Sequence, residues 1–269
     1  MTSFFLLLSF LVVVAASHES LTAQVYWNKA LPKTLVPGAI KDFLHPVKIE
    51  GHHASSSFGY RPVLEEDMLS GTKVKMHFMR TTAGSGATFL SRQAATTIPF
   101  SSASLPAILT HFSVNPNSVT ASHSRKPYTS AEKPAIAEEN KYCATSLESM
   151  VEYATSTLGT RHVSALSTVM SKEGAPDQEY VLSRVKKMSG SNFVACHARK
   201  YPYAVFYCHT VQGITAYQVS MVGEDGTTVE AVAACHTVFL FCSFGQYKGK
   251  LCPFKFLQSF IISLFGFNK

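Results

Sequence analysis

The sequence predicts an α+β fold, mainly antiparallel sheet with a few short helices. Residues Phe193–Ala198, Tyr203–Val211, Ile214–Val222 and Thr227–His236 form short runs rich in β-branched and aromatic side chains. Between the last two runs, Gly223-Glu-Asp-Gly226 has the chemistry of a hairpin turn. One clear helix, 146–158, precedes the strands.

Composition sets the outer limits. A chain of 269 residues that is 46% hydrophobic and 15% charged can bury one sizeable core or two small ones, which excludes a disordered chain. The formal charge of +7 suggests a polyanion partner, but Lys248, Lys250, Lys255 and Lys269 supply four of those charges without an acid among them. The preceding residues are only mildly basic, and no cluster of Lys and Arg with interleaved aromatics is present, so no nucleic-acid role is expected. Weak attraction to acidic wall polymers or to membranes stays open.

Along the chain, residues 1–17 read as a secretory signal, with an apolar run from Phe4 to Ala16 and cleavage as late as residue 23. That run is too short for a bilayer span, so no stable transmembrane anchor is expected. Secretion would place the six cysteines where they can pair. Residues 24–60 form an N-terminal segment and linker. They hold the single Trp, a string of Pro and Gly breakers, one or two helical turns at Ile40–Leu44, and a Ser/His/Gly-rich connector at His52–Gly59. Gln24-Val-Tyr-Trp27 reads as an amphipathic anchor packed onto the domain.

The folded region begins near residue 61. Val74, Met76 and Phe78 alternate with Lys73, Lys75 and His77, which predicts a strand. Thr88–Arg92 and Thr97–Phe100 look extended. Ser104 can cap a short helix over Leu105–His111, with Pro106 tolerated in its first turn. For the main helix, Thr145 and Glu148 have capping-box spacing and Gly159 stands at the C′ position. Leu147, Met150, Val151, Ala154 and Leu158 make its core stripe.

Three identical dipeptides carry the chemical information: Cys196-His197, Cys208-His209 and Cys235-His236, with 10 and then 25 residues between them. All three lie in predicted strands, where successive side chains point to opposite faces. If the imidazoles of His197, His209 and His236 converge on one face, their cysteines lie on the other. Two readings follow. The histidines hold a metal, copper or zinc in an oxidising compartment; or the cysteines are disulfides and the histidines are polar groups at a sheet surface. Cys143, just before the helix, could be a stabilised thiolate or a further disulfide half. The disulfide candidates are therefore Cys143, Cys196, Cys208 and Cys235. No motif assigns a catalytic residue.

These residues resemble the BURP domain of plant secreted proteins, whose pattern ends in four Cys-His dipeptides spaced roughly CH-x10-CH-x25–27-CH-x25–26-CH. Lys73-Val-Lys-Met-His-Phe-Met-Arg80, Phe89-Leu-Ser-Arg92, Lys141-Tyr-Cys-Ala-Thr-Ser-Leu-Glu-Ser-Met150 and Tyr201-Pro-Tyr-Ala-Val-Phe-Tyr-Cys-His209 are similar to the same family. The likeness spans 61–237, and Tyr26-Trp27 through Pro46 resembles the N-terminal stretch of its seed-protein and dehydration-responsive branches.

The resemblance implies a BURP-domain fold and a protein of the cell wall (apoplast) or storage vacuole, with a seed-development or stress role. Some members are copper-dependent peptide cyclases that crosslink a Tyr or Trp side chain, and on that likeness His197, His209 and His236 would be copper ligands. A peptide substrate or a wall polysaccharide would be the partner. Three positions depart from the pattern. The fourth Cys-His is replaced by Ile262-Ser263, no Cys stands just before Pro134-Ala-Ile136, and Pro62-Val63 replaces a pair of Phe. The second departure leaves Cys143 without its usual partner. A non-catalytic or degenerate member is the leading reading. Residues 238–269 read as a divergent apolar tail, and the loss of a last strand would expose a sheet edge.

Overall fold

A computed structural model describes residues 23–44, 63–78, 86–98, 100–118, 120–124, 140–172, 175–190, 192–242, 245–252 and 259–264. Residues 1–17, expected to be a secretory signal, and 52–59, expected to be a connector, lie outside them. The described helices are α1 (23–30), α2 (Gly38–Leu44), α3 (Arg92–Thr97), α4 (Leu105–His111), α5 (120–124) and α6 (Leu147–Leu158).

Two antiparallel sheets account for the rest, so the α+β class holds. In the larger sheet the order is β1 (Val63–Leu64), β11 (Gly245–Cys252), β10 (Thr228–Cys242), β9 (Thr215–Gly223), β6 (Gln178–Lys187) and β2 (Lys73–Met76), with β5 (Val169–Met170) also paired to β10. The smaller sheet runs β3 (Lys141–Ala144), β8 (Val205–Gln212), β7 (Asn192–Arg199), β12 (Ser259–Leu264), β4 (Val163–Ser167).

Alternation along these strands sorts the core into layers. Phe193 and Ala195 of β7 pack with Ala216, Val232 and Ala234 of the larger sheet and with Ile214 just before β9, which forms the contact between the two sheets. On the opposite face of β7, Val194 and Cys196 join Leu147, Met150, Val151 and Ala154 of α6, with Trp27 of α1 in the same cluster. Trp27 is fully buried and its indole N–H donates to the Thr34 carbonyl at 2.9 Å. The segment 23–44 is thus part of the core, and the expected anchor at Trp27 is in place.

Local chemistry shifts three boundaries. The capping box of α6 is Ser146 with Ser149, one residue beyond the Thr145–Glu148 pair. Leu147, fully buried, has to open the helix, so the residue before it takes the cap. Gly159 closes α6 at φ +67, as a left-handed C-cap requires. Arg92 and Thr97, expected to lie in extended chain, are instead the two ends of α3, because the Ser91 side chain accepts from the Ala94 amide and starts a helix. At α4, Ser104 holds the N-cap position, but its hydroxyl bonds Ser101 at 2.8 Å and does not cap.

The turn at 223–226 joins β9 to β10 as expected, with Gly226 at φ +79. Asp225 locks it: its carboxylate accepts from the Thr227 amide and from Gln178 Nε2, each at 2.9 Å.

The largest correction concerns the tail. Residues expected to lie beyond the last strand form β11 and β12. β11 pairs with β10 from His236↔Leu251 to Cys242↔Gly245. β12 lies between β7 and β4, with Phe260 opposite both Cys196 and Ser167. The β7 edge is thereby covered. Lys250 ties β11 inward, with its ammonium 3.3 Å from Glu65 and donating to the Thr215 hydroxyl at 3.0 Å.

Candidate functional site

The register of β7 and β8 places the first two Cys-His dipeptides together. Cys196 is directly opposite Cys208, and the two form a disulfide. His197 is opposite Tyr207 and His209 opposite Ala195, so the two histidines are diagonal neighbours on the reverse face. Both cysteines are buried against the α6 side, whereas both imidazoles are only part-buried. Cysteines to one face and histidines to the other is the expected arrangement.

The imidazoles meet. Their Nε2 atoms are 3.3 Å apart and their rings lie 5.4 Å apart at 21°. The nitrogen Nδ1 of His209 is 3.2 Å from the Thr210 carbonyl. A carbonyl only accepts, so Nδ1 carries the proton and Nε2 of His209 offers its lone pair towards His197. A ring held through Nδ1–H by a backbone carbonyl is the usual outer support of a metal-ligating histidine. Two nitrogens 3.3 Å apart can both bond one ion at about 2.0–2.1 Å each, the ordinary metal–imidazole distance. The donor set is all nitrogen, which suits copper or zinc and not calcium or magnesium.

His236 belongs to the other sheet. Its register partner is Leu251, and it shares alternation parity with Val232 and Ala234, which pack between the sheets. Its side chain lies outside the described ones. Among the described residues, no three His, Cys, Asp or Glu side chains gather as a metal-holding group. The third cysteine, Cys235, bonds Cys252 of the tail and lies in the core of the larger sheet.

A sequence model described as the BURP domain matches residues 63–239. The chain belongs to the BURP-domain family. Among its relatives, rice (Oryza sativa subsp. japonica) BURP domain-containing protein 3 is 51% identical over 177 residues, which are 64% of this chain and 41% of that protein. Rice BURP domain-containing protein 8 is 42% identical over 233 residues, 82% of this chain and 73% of that one. BURP domain protein RD22 of Arabidopsis thaliana is 43% identical over 176 residues, 64% of this chain and 45% of its own length. The match to the first and third of these spans less than half of their length.

The BURP match ends at residue 239, yet the strands β11 and β12 lie beyond it. The place expected for a fourth Cys-His falls in β12, where Ile262 is buried core.

Cys143 corrects a disulfide expectation: it carries a free thiol. Its strand position faces Tyr207, and Cys196, Cys208, Cys235 and Cys252 are already paired with one another. Burial pushes the thiol up to about 11, against the smaller pull of Arg199 and Lys141. At pH 8 it is a neutral thiol and not the stabilised thiolate its place before a helix suggested. Its alkylation by iodoacetamide at pH 8 is therefore expected to be on the order of 100-fold slower than that of an unperturbed cysteine. A rate matching a free peptide thiol would contradict this.

Two residues at the site were not singled out from the sequence. Tyr207 stacks on His209, with ring centroids 5.5 Å apart, and the Arg199 guanidinium sits 4.8 Å over the Tyr207 ring. Both lie two residues from a histidine, Tyr207 before His209 and Arg199 after His197. Strand period alone would have put them on the imidazole face.

Proposed function

We propose that this chain is a secreted, non-catalytic BURP-domain protein of the plant cell wall or storage vacuole, with a seed-development or stress role, that binds copper through His197 and His209. The imidazole pair carries this reading: two Nε2 atoms 3.3 Å apart, backed by a disulfide and oriented by the Thr210 carbonyl. Two observations favour the non-catalytic form. The fourth Cys-His position is Ile262-Ser263 in a core strand. The single Trp is fully buried and so is not presented for crosslinking.

The second reading is a copper-dependent peptide cyclase, favoured by the same imidazole pair. Copper, when bound, would supply the one-electron oxidation that protein side chains cannot. His197 and His209 would hold it, and Tyr207 would fix the His209 ring by stacking.

Mass analysis separates the two. The copper-loaded chain is incubated in air with peptides containing Tyr and Trp. The non-catalytic reading predicts no product that has lost two hydrogens. Such a product, absent with His197→Ala, would establish the cyclase instead.

A further inference from the structure

Among the described residues, the imidazole face of the smaller sheet holds no carboxylate. By alternation, β3 contributes Lys141 and Cys143, β8 contributes Tyr207 and His209, and β7 contributes His197 and Arg199. The registered positions of β12 and β4 add only Ser, Ile and Leu. In the facing sheet, Glu230 shares the parity of Val232, but it lies six residues from His236 and accepts from the Ser220 hydroxyl at 2.9 Å.

Arg199 is the unusual member. It is part-buried and, among the described residues, makes no ion pair, and its Nε is sealed from solvent with no hydrogen bond. Its neighbours are a phenol ring and a neutral thiol. Burial lowers its pKa from the ordinary arginine value, yet an arginine stays charged in a protein. A half-buried guanidinium without an anion is costly, because the Tyr207 ring offsets only part of its desolvation. A metal ion on two neutral imidazoles would add further positive charge to the same face.

We infer that Arg199 is an anion-recognition residue beside the imidazole pair, and that it takes the carboxylate of a peptide ligand. A guanidinium matches a carboxylate through paired N–H donors. With Nε sealed, the outer end of the fork is the part a ligand can reach. A recessed cation admits a chain terminus or a projecting acidic side chain, whereas a polyuronate lying on a flat surface needs a row of free cations. Lys73, Lys75 and Lys172 do not supply that row, since they pair with Glu179, Asp177 and Asp225. The charge argument rests in part on the copper reading, but among the described residues Arg199 has no anion with or without metal.

The test uses the full secreted chain, metal-free and copper-loaded, by calorimetric titration. The probes are an acetylated Gly-Phe-Tyr peptide with a free C-terminal carboxylate, the same peptide as its amide, and tri-galacturonate. The free acid is expected to bind at least about tenfold more tightly than the amide, in line with a charge-assisted hydrogen-bonded pair. In Arg199→Gln that preference should fall below about twofold, with the melting temperature and copper stoichiometry unchanged. Arg199→Lys should restore part of it. Equal binding of acid and amide, a preference that survives Arg199→Gln, or tri-galacturonate binding in place of the acid would overturn the inference. Should copper fail to bind, the acid–amide comparison on the metal-free chain still decides the anion site by itself.

Discussion

Replacing Trp27 with alanine is expected to destabilise the fold by about 3–5 kcal/mol, the range for removing a large buried aromatic. Trp27 has no exposed surface and lies in the cluster that joins α2, α6 and the cysteine face of β7 and β8. Its loss also strands the Thr34 carbonyl, which accepts the indole N–H at 2.9 Å. Phe43 of the same cluster packs edge-on to Phe206 of β8 at 5.2 Å, so the damage reaches the strand that carries His209. Denaturant unfolding of Trp27→Ala and Trp27→Phe would show the effect. A cost below about 1 kcal/mol for Trp27→Ala, within the range of ordinary surface changes, would mean that 23–44 is an appendage and not part of the core.

Deleting residues 253–269 is expected to have a comparable effect. It removes β12, which pairs with β7 from Ser259↔His197 to Ser263↔Phe193 and with β4 from Phe260↔Ser167 to Leu264↔Val163. Two strand edges open at once, and the buried Ile262 is lost. Losing that side chain alone costs about 2–5 kcal/mol in a core, which corresponds to a fall in Tm of roughly 5–15 °C for a domain of this size. Soluble yield should drop as well, because β7 would present an unpaired edge. An unchanged Tm after deletion would show that the tail is dispensable.

The tail also shows where the sequence stops being legible. β7 to β10 announce themselves through β-branched runs and the 223–226 turn, because their pattern is local. The position of β12 is not local: SFIISL reads as an apolar run, and only the open slot between β7 and β4 makes it a strand. Cys252 is similar. It sits in an unpatterned stretch, and its partnership with Cys235 exists only because β10 and β11 fold back together. The site divides in the same way. Strand alternation foretells that His197 and His209 face away from Cys196 and Cys208. It does not foretell that these two histidines share a sheet while His236 lies in the other, since strand order is a tertiary property. Arg199 and Tyr207 were within reach of the alternation rule, but charge and aromaticity on a strand are too common to mark a site without the observed stacking.

Copper titration of the purified full-length chain, beside His197→Ala and His209→Ala, tests the central claim most directly. The account predicts one equivalent bound by the parent, with affinity reduced at least about 100-fold in each variant, as removal of a direct ligand exceeds the 10–100-fold cost of outer-shell changes. Both variants should keep the parental Tm, since each ring is only part-buried. Binding that is equal in the parent and both variants would contradict the account and leave the two imidazoles as a hydrogen-bonded pair on a sheet surface.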